Sequence, residues 1–188
     1  MVKINLNNFN SSQIHGSPGG NPFNDLSIIK NAVGSEVDAI WINKVMIRAG
    51  DAIDGFQFTY RIKKGDQFKE IEGTRCGGNG GKEYVVKLEK GEYLDSIEIQ
   101  YGENNYYIGG LQLHTYNTKT GEQKIYKYGR TGDKKSQLLI KNNEYAACLF
   151  GRSGGCLDAI GIQQSLQDQQ QLTFMEQDKI VELVNAQE

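Results

Sequence analysis

Phe150-Gly-Arg-Ser-Gly-Gly-Cys-Leu-Asp-Ala-Ile-Gly-Ile162 sets flexible glycines, then one carboxylate, where the chain becomes an apolar strand. Glycine lets a ligand approach the backbone closely, so N–H groups of this loop can converge on a ligand oxygen. The carboxylate of Asp158 can accept hydrogen bonds from neighbouring hydroxyls. Together these groups suit a polyol such as a sugar better than a phosphate or a hydride donor. A related Gly-x-x-x-Asp recurs upstream, from Gly50 to Asp54 and from Gly91 to Asp95.

Around these loops the apolar residues alternate with a period of two. Val45 and Ile47 precede Gly50, and Phe56, Phe58 and Tyr60 follow it. Val86 and Leu88 lead to Gly91, after which Ile97, Ile99 and Tyr101, then Leu111, Leu113 and Thr115, repeat the arrangement. Cys148 to Phe150 runs into the last loop, and Ile160 and Ile162 leave it. Strand, Gly-x-x-x-Asp loop, strand is therefore an internal repeat. No amphipathic helix of useful length separates these strands, so the units read as hairpins and not as βαβ crossovers. Ten Tyr and seven Phe, with 23 Gly and only two Pro, fit a turn-rich all-β protein. Three antiparallel sheets around a shared core and a two-sheet sandwich both satisfy the pattern.

The 188 residues are enough for one domain with a real core and a small appendage. A net charge of -2 and a pI near 5.8 leave no basic footprint for nucleic acid, and no polybasic cluster marks anionic lipid. No apolar run approaches the roughly 20 residues that span a bilayer. Met1 to Phe9 lacks the apolar segment of a signal peptide, so a cytoplasmic location is expected. Cys76, Cys148 and Cys156 are odd in number and widely spaced, as reduced thiols would be.

Neither histidine, His15 or His114, stands at zinc-like spacing from a cysteine, and no Ser-His-Asp or Cys-His arrangement is visible. The carboxylates are spread one per repeat, whereas glycoside hydrolysis needs two flanking one bond. Neither an enzyme nor a metal or other cofactor is expected. His114 is expected to face solvent, Trp41 to lie in the core, and Cys156 to be an ordinary thiol.

The ends differ in character. Residues 1–13 form a polar lead-in, in which Val2, Ile4 and Leu6 alternate as one short strand. Residues 164–188 form a second appendage, and the Gln-rich run Gln163 to Leu172 reads as a linker. Thr173-Phe-Met-Glu176 then has capping-box spacing, and Ile180, Val181, Leu183 and Val184 give an apolar stripe for about three helical turns. A lone helix of that length is marginal in water. Residues 173–188 are thus expected to dock on the domain, on a second copy as a homo-oligomer, or on a partner protein.

Two further loops share the form Gly-x-x-Gly-Gly: His15-Gly-Ser-Pro-Gly-Gly-Asn-Pro-Phe23 and Cys76-Gly-Gly-Asn-Gly-Gly81. A phosphate-binding Walker loop is excluded because Lys82-Glu83 follows Gly81. A dinucleotide fingerprint is excluded because Tyr84 to Leu88 reads as strand, not helix.

Taken in order, Gly19-Gly-Asn-Pro-Phe23, Asp54-Gly-Phe-Gln-Phe58, Gly77-Gly-Asn-Gly-Gly81, Gly91-Glu-Tyr-Leu94, Tyr128-Gly129 and the Phe150 to Ile162 segment resemble the jacalin-related lectins over residues 14–163. The resemblance implies a β-prism I fold, with three four-stranded Greek-key sheets about a pseudo-threefold axis. It also implies metal-independent carbohydrate binding. By position, the amides of Gly20, Gly155 and Cys156 with the Asp158 carboxylate form the primary site. Gly80 and Gly81 with Asp54 and the Ala52-Ile53 backbone form a second. A third combines Asp95 with the loop near Gly132, weakened by Asp133 facing Asp95.

The chain departs from the family in having Gly155 and Cys156 where many members place a ring, which removes an apolar wall for the sugar. Ser17-Pro18 also stiffens the first loop. The first Gly-Gly lies inside the chain, so mannose/glucose-type glycans are expected and not galactose. The competing reading is a β-prism interaction module with vestigial sugar sites that assembles through its C-terminal helix.

Overall fold

The computed structural model describes residues 3–102, 106–130, 132, 134–140 and 145–166. In chain order it holds β1 (Ile4–Asn5), a 3-10 turn (Leu6–Asn8), β2 (Asn10–Ser11), β3 (His15–Gly16), β4 (Asn21–Asn24) and α1 (Asp25–Val33). Next come β5 (Glu36–Val37), β6 (Ala39–Ala49), β7 (Ile53–Lys64), β8 (Gln67–Glu72), β9 (Cys76–Gly77) and β10 (Lys82–Lys87). The remainder is β11 (Glu92–Tyr101), β12 (Ile108–Asn117), β13 (Gln123–Gly129), β14 (Lys135–Leu139), β15 (Tyr145–Ser153) and β16 (Leu157–Leu166).

Three antiparallel sheets are each built on a long central hairpin. Their orders are β10-β6-β7-β8 with β9 also on β7, β13-β12-β11-β14, and β2-β16-β15-β4 with β3 also on β16. The three share one core. Phe56, Phe58 and Ile62 come from the first sheet, Ile97, Ile99 and Leu111 from the second, and Leu149, Ile160 and Ile162 from the third. Burying each such side chain is worth about 1.5–3 kcal/mol. A shared core under three sheets excludes the two-sheet sandwich and is the β-prism that the resemblance implies.

Three expectations for the periphery change. Residues 3–13 are more than a polar lead-in: the short strand expected there is present at Ile4–Asn5, Ile4 and Leu6 are buried in the common core, β1 pairs with β5, and β2 pairs with β16. The Gln-rich run does not open as a linker at residue 164, because β16 continues to Leu166 and pairs through Gln164. The rest of that run and the helix expected at residues 173–188 lie outside the described residues. His114 is half-buried, and its Nε2 is shielded from solvent instead of facing it. Trp41 is buried, beside Ala39 and Tyr93.

Helix α1 has no counterpart in the strand periodicity. Asn24 caps it, its side chain accepting the Ser27 N–H at 3.2 Å, and Gly34 ends it at φ +83°. Leu26 and Ile29 anchor its inner face, and Asp25 is buried with them. The Tyr60 hydroxyl donates to Asp25 Oδ2 at 2.7 Å, and the Thr74 N–H donates to Oδ1 at 2.7 Å. The same Tyr60 oxygen accepts the Leu149 N–H at 3.0 Å. Helix, first sheet and third sheet are thereby joined. Burial pushes the Asp25 carboxyl above its usual range and the Tyr60 hydroxyl well above its own.

Candidate functional site

The three central hairpins bring their tips together at one end of the prism. The Ser17 hydroxyl donates to the Tyr106 carbonyl at 2.7 Å, which joins the third tip to the second. A Cβ placed on Gly78 would lie 2.7 Å from the Gly155 carbonyl, and one on Gly129 would lie 3.0 Å from Ile53 Cδ1. These contacts close the ring.

Each corner has the same backbone frame. Ser17 N–H donates to the Asp158 carbonyl at 2.9 Å, Gly78 N–H to the Asp54 carbonyl at 2.6 Å, and Arg130 N–H to the Gly109 carbonyl at 2.9 Å. The glycines before these donors, Gly16, Gly77 and Gly129, have positive φ and press against the same three carbonyls, leaving no space for a Cβ. Gly20, Gly81 and Gly132 stand in turn against the carbonyls of Ser153, Ala49 and Tyr101. Each hairpin also carries a register shift just before its loop, at Arg152/Ser153, Arg48/Ala49 and Gln100/Tyr101. Bulges in such places re-aim side chains.

At two corners the frame carries a carboxylate. Cβ atoms on Gly19 and Gly20 would collide with Asp158, and on Gly80 and Gly81 with Asp54, so each glycine pair lies against its carboxylate. Gly20 and Gly81 both need φ near +60°, which glycine alone adopts without strain. The loops beyond are alike: Gly154 N–H donates to the Cys156 carbonyl at 3.0 Å, and Gly50 N–H to the Ala52 carbonyl at 3.1 Å. The structure thus brings Gly20, Gly155, Cys156 and Asp158 to one corner. It brings Gly80, Gly81, Ala52, Ile53 and Asp54 to its neighbour. Ile53 is fully buried, backbone included, so it presents no surface to a ligand there.

The Oδ2 atom of Asp158 is buried and has no hydrogen-bond partner among the described residues. Burying a charged oxygen without a partner is costly, so this atom calls for an explanation such as a bound ligand or water. Beside it, burial raises the Cys156 thiol, with further contributions from Asp158 and Asp54. A raised thiol stays protonated at neutral pH, as expected of an ordinary cysteine. Among the described residues, no group of three His, Cys, Asp or Glu side chains is placed to hold a metal ion.

The expected pairing of Asp95 with Gly132 does not form. Asp95 lies near the start of β11, whereas Gly132 packs beside Tyr101 at its end. From Asp95 to Gln100, whose side chain meets the Gly132 amide, the strand spans about 17 Å. Asp95 instead lines an open groove with His114, Thr115, Tyr116, Gln123, Lys124 and Ile125. Asp133 lies outside the described residues. The true third corner has Gly109 at the aspartate position, and its loop is longer. Tyr101 pairs with Ile108, seven residues on, whereas Ala49 with Ile53 and Ser153 with Leu157 are four apart.

Sequence reading missed three residues. Tyr106, exposed at 71 %, is held beside the first corner by its carbonyl contact with Ser17. Arg152 and Arg48 each stand two residues before the loop glycine, so the repeat is Arg-x-Gly-x-x-x-Asp at Arg152–Asp158 and Arg48–Asp54. That spacing was available in the sequence.

A three-sheet prism with matched glycine loops at one end is a carbohydrate-binding architecture. Residues 12–163 match the model of the jacalin-like lectin domain, and the chain belongs to that non-enzymatic family. Among solved structures, wild-type Malaysian banana lectin is 23 % identical with a TM-score of 0.60, covering 84 % of this chain and 99 % of its own. A mannose-binding jacalin-related lectin from Ananas comosus is 21 % identical (TM-score 0.61, 84 % and 98 % covered). Single-chain recombinant jacalin is 20 % identical (TM-score 0.63, 84 % and 95 % covered). At these identities the likeness shows the fold.

Proposed function

We propose that this lectin binds mannose-type or glucose-type glycans without metal through two neighbouring corners, Gly20/Gly155/Cys156/Asp158 and Gly80/Gly81/Asp54. The observation that carries the reading is the buried, unpaired Asp158 Oδ2 lying against Gly20. A sugar hydroxyl would supply the missing donor, while loop amides donate to other sugar oxygens. The mannose-binding description of the Ananas comosus relative supports this choice of sugar. Each corner alone is expected to bind weakly, and two in one chain would gain through effective concentration when one glycan carries two termini.

Titration with methyl α-mannoside in the presence of a chelator tests this, with NMR shifts assigned to each corner. The wild type is expected to show two sites. Asp158→Ala is expected to weaken the first by about 100-fold or more, since it removes charge-assisted hydrogen bonds. Its melting temperature is expected to change little, because the buried Oδ2 that it removes has no hydrogen-bond partner among the described residues. Unchanged binding at the first corner in Asp158→Ala overturns the assignment.

A further inference from the structure

We infer that Arg152 and Arg48 are positioning residues, each clamping the glycine pair of its corner so that one loop amide faces the ligand. This rests on the sugar-binding reading of the two corners. Arg152 Nε donates to the Gly19 carbonyl at 2.7 Å and its Nη2 to the Gly20 carbonyl at 2.6 Å. Arg48 repeats the pattern, Nε to the Gly80 carbonyl at 2.9 Å and Nη2 to the Gly81 carbonyl at 3.0 Å. Two independent segments of the chain make the same two bonds with the same two nitrogens. Both arginines sit at the bulge that precedes the loop, where a strand side chain is re-aimed.

The geometry converts this grip into orientation. The Gly19 carbonyl and the Gly20 N–H belong to one planar trans peptide, so they point in opposite directions. Holding the carbonyl on Arg152 turns the Gly20 N–H to the other side, and the Gly80–Gly81 peptide behaves likewise under Arg48. Glycine pairs, here with the second member at positive φ, are otherwise among the freest segments of a chain. The guanidinium removes that freedom before a ligand arrives, and its charge polarises the peptide towards a stronger N–H donor. Its planar fork fits two adjacent carbonyls, which an ammonium does not match.

The third corner supplies the contrast. Gln100 occupies the arginine position there, and its Oε1 accepts the Gly132 N–H at 3.3 Å. The amide that corresponds to those of Gly20 and Gly81 is consumed inside the protein instead of being turned outward.

Arg152→Gln and Arg48→Gln, with Arg152→Lys as the conservative variant, test the clamp by mannoside titration and hydrogen exchange. Arg152→Gln is expected to weaken the first corner by about ten-fold or more and leave the second within about two-fold, and Arg48→Gln the reverse. Arg152→Lys should fall between wild type and Arg152→Gln, because charge returns without the fork. Exchange across residues 17–21 should quicken in Arg152→Gln, with or without sugar, while the core strands keep their protection. Equal weakening of both corners, or none, overturns the clamp, as does unchanged exchange in the loop. A wild type that binds no mannoside while loop exchange still responds refutes the sugar reading and leaves the clamp standing.

Discussion

The corner at Asp158 and the corner at Gly109 share a backbone and differ in what they offer a ligand. Both use a residue after the hairpin tip as carbonyl acceptor for an incoming N–H, and both press a positive-φ glycine against that carbonyl. Only the first adds a carboxylate, a clamped glycine pair and an arginine. The fold therefore needs the carbonyl at this position and is indifferent to the side chain. On the proposed reading, stability and binding would draw on separate atoms of one residue, so a corner could lose its ligand groups and keep its shape. The Asp54 corner falls with Asp158 on every count.

The largest test of this separation is Gly81→Ala. A Cβ there would lie 2.5 Å from the Ala49 carbonyl carbon and 2.6 Å from Asp54 Oδ2, at φ +60°. Binding at the second corner is expected to vanish, and chemical denaturation should show a loss of about 1–2 kcal/mol from the left-handed conformation alone. The first corner should still titrate. A middling effect is expected at Gly155, where an added Cβ meets nothing within 4 Å. Gly155→Tyr would return a ring to the first corner, and calorimetry should show mannoside binding tightened several-fold, as one aromatic contact is worth about 0.5–1.5 kcal/mol. The smallest effect is predicted for Gly109→Asp. The carboxylate alone should create no third site detectable by NMR titration, because Gln100 holds the Gly132 amide and the loop is three residues longer.

The juxtaposition of residues at the two candidate corners was legible in the sequence because it is local: glycine for positive φ, and one aspartate at fixed spacing. The third occurrence misled for a physical reason. Gly91, at φ +79°, makes the turn into β11, where Glu92 N–H donates to the Glu89 carbonyl at 2.9 Å. Spacing alone does not distinguish that turn from a hairpin tip. Which strands pair is a long-range fact, and only the pairing of Tyr101 with Ile108 places the third corner. Helix α1 was hidden because nine residues bury few apolar side chains, and its decisive residue, Asp25, is polar. The arginine clamp was legible as a doubled Arg-x-Gly spacing, but its meaning needed the distances to the glycine carbonyls.

Asp25 is expected to respond to acid in the opposite sense to most carboxylates. Most folded proteins loosen as pH falls because carboxylates they hold charged take up protons. The junction of α1, β7 and β15 runs the other way. The proton on Asp25 binds more tightly in the folded chain than in the unfolded one, since burial outweighs the hydrogen bonds to Thr74 and Tyr60. Its contribution is complete below the ordinary carboxylate range and is lost as pH rises through the raised value. Urea midpoints from mildly acidic to neutral pH should record that decline, and Asp25→Asn should flatten it. The seam between the sheets that bear the two candidate corners is thus expected to tighten, not loosen, in mild acid.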